Sequence, residues 1–175
     1  MVITNDYEAF TYVRDMLLKQ NEQSTDPNAN CQYRGYSESL CQRIREESEE
    51  WVINNPDEAN KVSDDFIEAE DVYFYDKIYE QPYDTKCAAG FLINDNFYQD
   101  YFEGNAVMFE NSHVWQAIKM SNPAWKATES SFNLVKTLQS IHDNNQPEDW
   151  RYLLAKVENN FNNYKDYTAG DWEDY

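Results

Sequence analysis

Positive charge is scarce in this chain. Its 14 Lys and Arg stand against 33 Asp and Glu in 175 residues, a formal charge of −19. An excess of that size repels phosphate. It excludes direct binding to nucleic acid or to an anionic membrane unless a basic patch is concentrated somewhere. Long apolar runs are missing too. The longest, residues 87–93, has seven residues and includes a glycine, far short of the roughly 20 needed to span a bilayer. The first ten residues show neither a basic region nor an apolar stretch, so no signal peptide is expected. Cysteine is rare and odd in number. Cys31, Cys41 and Cys87 sit at irregular spacing, unlike a disulfide framework. A reduced, cytoplasmic protein is the expectation.

Aliphatic side chains are also few. Leu, Ile, Val and Phe number 34, just under the rough 20% line that signals disorder at high net charge. Fourteen Tyr and five Trp offset that shortage, since each buries roughly 150–250 Å². The chain should fold around an aromatic-rich core. One domain is expected at this length, over residues 1–161, followed by an aperiodic acidic tail, 162–175, that frays.

The periodicity predicts a mainly α fold (α+β as the variant) with at most a small sheet. A first helix over 7–20 repeats Phe10, Val13 and Leu17, and Asn5 with Glu8 has the form of a capping box. Residues 21–30 read as a loop and 31–34 as a short strand or turn. Residues 37–54 look helical, ending at Asn54-Asn55-Pro56. Residues 57–80 are ambiguous between helix and strand, with Val72 to Tyr75 able to extend. Gly90 permits close backbone approach. Phe97, Tyr98, Tyr101 and Phe102 recur at helical spacing before Gly104, and 111–120 is a short helix candidate. The last two helices are the clearest. Residues 131–142 align Phe132, Val135, Leu138 and Ile141. The other opens with Pro147, Glu148 and Asp149 and aligns Trp150, Leu153, Leu154, Val157 and Phe161. Any sheet should lie near Arg34, Tyr73 and Cys87.

Three segments in order, Cys31-Gln32-Tyr33-Arg34, Lys86-Cys87-Ala88-Ala89-Gly90-Phe91-Leu92-Ile93 and Leu138-Gln139-Ser140-Ile141-His142-Asp143, come with Tyr98, Glu103-Gly104 and Trp150. In these the chain resembles, from the first helix to about Phe161, a family of small proteins of bacteria and their phages. The resemblance implies a fold and a phage or host-cytoplasm setting rather than a reaction. In that family the Cys-x-Tyr-Arg turn lies close in sequence to the Lys-Cys-Ala segment. Here residues 35–85 stand between them as an insertion. Within it, residues 46–80 hold thirteen acids: Glu46, Glu47, Glu49, Glu50, Asp57, Glu58, Asp64, Asp65, Glu68, Glu70, Asp71, Asp76 and Glu80. Only Lys61 and Lys77 oppose them.

That concentration suggests a function. As one continuous helix, residues 46–80 would span about 52 Å, a length over which duplex DNA carries roughly 31 phosphate charges. About half of those face one side, a value the thirteen acids approach. The expected role is therefore a non-catalytic acidic interaction protein. It would bind a basic host protein of nuclease, restriction-enzyme or transcription-factor type, in the manner of a DNA mimic, with Tyr73, Tyr75 and Tyr79 helping. The competing reading is a solvated face that confers solubility. No stretch has the Gly and terminal Glu spacing of an EF-hand.

The alternative function is a small enzyme or ligand-binding module centred on Arg34, Cys87 and His142, with Asp143. Against catalysis, His142 and Asp143 are neighbours whose side chains should diverge on a helix, and Cys87 sits among small apolar residues as a buried hydrophobe. A zinc site drawn from Cys31, Cys41, Cys87, His113 and His142 has no Cys-x-x-Cys or His-x-x-x-His pair. No metal or other cofactor is expected. Arg34, His142 and Asp143 read better as a polar knot, with Asp143, Glu103 or Asp95 as partner to Arg34. The aromatics lack the positive groove of a base-stacking platform and belong to core and interface.

Overall fold

A computed structural model describes residues 2–63, 67–103 and 112–163, with side chains to 161. It is mainly helical, as expected. The order is α1 (Asp6–Gln20), β1 (Arg34–Gly35), α2 (Glu38–Asn54), α3 (Pro56–Val62), α4 (Ala69–Tyr79), β2 (Thr85–Lys86) and α5 (Ala88–Phe91). A 3₁₀ turn (Asp100–Phe102), α6 (His113–Ser121), α7 (Glu129–Asn144) and α8 (Pro147–Asn163) follow.

The helix starts follow side-chain capping. Asn5, Ser37 and Ser112 each accept a backbone N–H from the first turn of α1, α2 and α6. Thr128 and Ser131 form a reciprocal capping box on α7, and Pro147 occupies the first position of α8. The box expected at Asn5 and Glu8 is displaced by one residue: the Glu8 carboxylate accepts the N–H of Thr4 at 2.7 Å and its hydroxyl at 2.8 Å.

The main body packs α1 against α5, α7 and α8. Phe10, Val13 and Leu17 meet Leu134, Val135, Leu138 and Ile141 of α7 and Trp150, Leu154 and Val157 of α8, all buried. Gly90 lies so close to the preceding loop that a Cβ there would sit 2.0 Å from the Tyr33 carbonyl oxygen, which explains why the position holds no side chain.

Residues 36–84 leave this body and return to it through a narrow neck. Strands β1 and β2 pair antiparallel, Arg34 opposite Lys86 and Gly35 opposite Thr85. Asp84 accepts from the Ser37 N–H at 2.8 Å and the Ser37 hydroxyl at 2.7 Å, closing the excursion where α2 begins. Beyond the neck, α2 packs on α4, with α3 touching both. Tyr36, Ile44, Phe74 and Ile78 form a separate apolar cluster there, flanked by Leu40, Cys41 and Tyr75.

Two expectations are corrected. Val72 to Tyr75 is helical, inside α4, so Tyr73 is not part of the sheet. Its hydrophobic positions Phe74 and Ile78 are four apart and face α2, and helical period prevails over β-branching. Of the aromatics at 97–102, only Tyr101 and Phe102 lie in a 3₁₀ turn; Tyr98 and Phe102 pack edge to face, and Glu103 accepts backbone N–H groups of the neighbouring loop. Among the described residues, the acids of 46–80 lie on α2, α3 and α4 or, for Glu68 and Glu80, at the ends of α4. Helix α8 extends to Asn163. Residues 164–175 of the expected tail, and Asp64, Asp65 and Gly104, lie outside the described residues.

Candidate functional site

On α2, Glu46, Glu47, Glu49 and Glu50 are exposed, opposite the side that carries Ile44 and Ser48. Asp57 and Glu58 on α3, Glu68 before α4, and Asp76 and Glu80 are exposed as well, while Glu70 and Asp71 are half-buried. Cations neutralise few of them. Arg43 pairs with Glu47 at 2.7 Å, Arg45 with Asp71 at 3.7 Å and Lys77 with Glu80 at 2.8 Å. Among the described residues, Glu49, Glu50, Asp57, Glu58, Glu68 and Asp76 make no ion pair. The three tyrosines divide. Tyr73 stacks on Trp51 with ring centres 4.9 Å apart, and the Tyr75 hydroxyl donates to Asn28 at 2.8 Å. Only Tyr79, 63% accessible, presents its ring outward, close in sequence to exposed Tyr83.

Arg34 does not join His142. Its guanidinium lies 3.9 Å above the Tyr98 ring and bonds the Asp95 carboxylate, which Lys86 also approaches at 3.5 Å. Glu103 holds the turn below by accepting the backbone N–H groups of Tyr33 at 2.7 Å and Arg34 at 3.1 Å and the Tyr98 hydroxyl at 2.6 Å. Burial, and then Glu103, keep the Tyr98 phenol above its ordinary value, so it remains a donor. Arg34, Lys86, Lys19, Asp84 and Asp95 line a cleft of about 720 Å³ beside the neck. Of the expected partners for Arg34, Asp95 is the one used.

His142 and Asp143 do meet, contrary to the divergence expected of neighbours. The Nδ1 atom sits on the side of the ring nearest the helix, and the Asp143 carboxylate reaches it at 2.8 Å. The same carboxylate oxygen accepts the Cys31 thiol at 2.8 Å and the Gln139 side-chain N–H at 2.7 Å. Cys31 Sγ is 3.8 Å from His142 Nδ1. On the far side of the ring, the Ser24 backbone N–H donates to Nε2 at 3.2 Å. Nε2 is therefore unprotonated, and Nδ1 carries the proton it donates to Asp143. The ring is fully buried and stacks on Trp150 at 5.1 Å.

This geometry is not a nucleophilic relay. Such a relay uses the two ring nitrogens separately, one for the nucleophile and one for the orienting acid. Here Cys31 and Asp143 share Nδ1, and Nε2 is taken by a backbone donor. The hydrogen bond with Cys87, then burial, push the Cys31 thiol far above its ordinary value, so it is a donor and not a thiolate. Cys87 is fully buried and accepts the Gly90 N–H at 3.4 Å. Asp143 is held below the usual carboxylate range: burial works against ionisation, and the donors His142, Cys31 and Gln139 outweigh it.

Of the five residues weighed for zinc, Cys41 packs in the α2–α4 cluster, and His113 is exposed with its ring edge-on to Tyr101. Cys31 and His142 converge, with Asp143 rather than a third cysteine as the nearest companion. Their ligand atoms lie within 4.8 Å of one another. Gln139 and Ser24 were not singled out from sequence. The signal that leads to the cluster is that the segments at 31–34, 86–93 and 138–143 meet there. No family model, curated protein or solved structure matches this chain.

Proposed function

We propose that the protein is a non-catalytic interaction protein whose α2–α4 layer presents carboxylates to a basic, nucleic-acid-binding protein. The observation that supports this reading is the sorting of the layer. Tyr36, Ile44, Phe74 and Ile78 face inward into their own cluster, while Glu46, Glu49, Glu50, Asp57, Glu58 and Asp76 point outward without a neutralising cation. Because the acids are divided among three helices, the footprint is shorter than a single rod would give. Helix α2, 17 residues long, spans about 25 Å, which matches roughly seven base pairs of duplex. Tyr79 and Ile53, both exposed, add apolar contacts at the rim of such a surface.

The test is displacement. A labelled duplex is bound to each of several basic DNA-binding proteins, and this protein is added at low and at moderate salt. Competitive displacement that weakens steeply with salt is expected. A variant with Glu46, Glu49 and Glu50 changed to Gln and Asp76 to Asn should displace at least about tenfold less well. Failure to displace any of the set, or equal displacement by the neutralised variant, refutes the proposal.

A further inference from the structure

We propose that Cys31, His142 and Asp143 form a binding site for one transition-metal ion of the zinc class, with water in the fourth position. The site is separate from the acidic face and does not depend on that face having a partner. Its donors are a thiol, an imidazole and a carboxylate, the ligand set that zinc and cobalt take in proteins. The three contacts among them measure 3.8, 2.8 and 2.8 Å. Around an ion with bonds of about 2.0–2.3 Å, tetrahedral ligand atoms stand about 3.3–3.8 Å apart. An outward movement of the Asp143 carboxylate by about half an ångström admits the ion, and Asp143 has the most exposed side chain of the three.

The proton inventory shows what an ion would replace. The Cys31 and Nδ1 protons both point at one carboxylate oxygen, and a cation would stand between the three ligand atoms in place of those protons. Loading releases the Cys31 proton to solvent. The imidazole stays neutral, with its proton moved from Nδ1 to Nε2. That transfer displaces the Ser24 N–H from Nε2, so the peptide at Ser24 has to turn. The Ser24 hydroxyl is fully buried and has no hydrogen-bond partner, which leaves an acceptor on the same residue for the new Nε2 proton.

The surroundings suit such a role. Gln139 holds Asp143 through 2.7 and 2.9 Å bonds and reaches Cys31 Sγ at 3.5 Å. Its carbonyl oxygen accepts the Ala89 N–H at 2.9 Å, which fixes the amide orientation. Outer contacts of this kind commonly change metal affinity by about 10–100-fold. An ion there would tie the loop before β1 to the end of α7.

The experiment titrates Co²⁺ into the full, reduced chain and reads thiolate-to-cobalt charge-transfer absorption. This signal ignores loose binding to surface carboxylates. One equivalent should produce the band and Zn²⁺ should displace it. Cys31→Ser, which keeps a hydroxyl toward Asp143, and Asp143→Asn should each weaken binding at least about tenfold, whereas Cys41→Ser should leave it unchanged. Circular dichroism verifies that the variants are folded. Absence of the band in folded, reduced wild-type protein overturns the proposal. So does a band that survives both Cys31→Ser and Asp143→Asn.

Discussion

The body formed by α1 and α5–α8 and the layer formed by α2–α4 solve the same packing problem with unequal means. The body buries Phe10, Leu17, Leu134, Leu138, Trp150 and many further side chains in one continuous cluster. Among the described residues, the layer's own apolar cluster is Tyr36, Ile44, Phe74 and Ile78, yet residues 46–80 hold thirteen of the chain's acids against two lysines. Charge repulsion is therefore greatest where apolar burial is smallest. Other contacts support the layer: Arg45 lies 4.1 Å over the Phe74 ring, Trp51 stacks on Tyr73, and Asp84 clamps Ser37 at the neck. A region built this way should open more readily than the body.

Substitution in each cluster tests that difference. Trp150→Ala removes a fully buried side chain together with the ring stacked on His142, and should cost about 3–5 kcal/mol in a single global transition. Ile44→Ala should cost about 2–4 kcal/mol at its own site, but mainly by opening the layer. Hydrogen exchange under native conditions should then accelerate across α2 and α4 while α1, α7 and α8 keep their protection. Equal acceleration in both regions would mean that they unfold as one unit.

Much of this contrast was legible in the sequence. The stripes of α1, α7 and α8 repeat at helical spacing with recognisable starts, and the acidic concentration at 46–80 can be counted directly. The layer's internal arrangement was harder to read. Val72 to Tyr75 has the composition of a strand, and only the presence of α2 against Phe74 and Ile78 decides for helix. The site at His142 was legible in its segments and not in its geometry. Whether neighbouring His and Asp side chains meet depends on which ring nitrogen lies near the backbone, and on a third group, Cys31, more than a hundred residues away in sequence. The partner of Arg34 was open among three acids because tertiary packing decides it: Asp95 and Glu103 come from the segment after α5, and Asp143 on α7 turns to His142 instead.

The junction should also respond to pH in its own way. Asp143 is held below the ordinary carboxylate value by its donors. Its contribution is therefore complete above about pH 4, the unfolded value, and is lost as pH falls through the depressed folded one. Asp143→Asn should lower stability at pH 7 by about 1–2 kcal/mol, discounted for the partial exposure of the carboxylate. It should also flatten the decline between pH 5 and pH 2 relative to wild type. Parallel acid limbs for the two proteins would show that the cluster at the neck contributes little to the junction.

The smallest effect belongs to the layer's surface. Glu49 and Glu50 face solvent without ion pairs, in a helix that already carries Glu46 and Glu47. Changing both to Gln should raise the stability of the layer by a few tenths of a kcal/mol, since like charges at helical spacing destabilise by about that amount. Screening supplies a control. At 1 M salt, where the Debye length is about 3 Å, wild type should gain nearly the same increment and the variant almost none. The readout is exchange of α2 and α4 amides, because a change this small is lost in a global melt dominated by the body. If the substitutions slow exchange equally at low and high salt, their effect is helix propensity rather than repulsion. The acids would then not strain the layer, and its weakness would rest on its small apolar cluster alone.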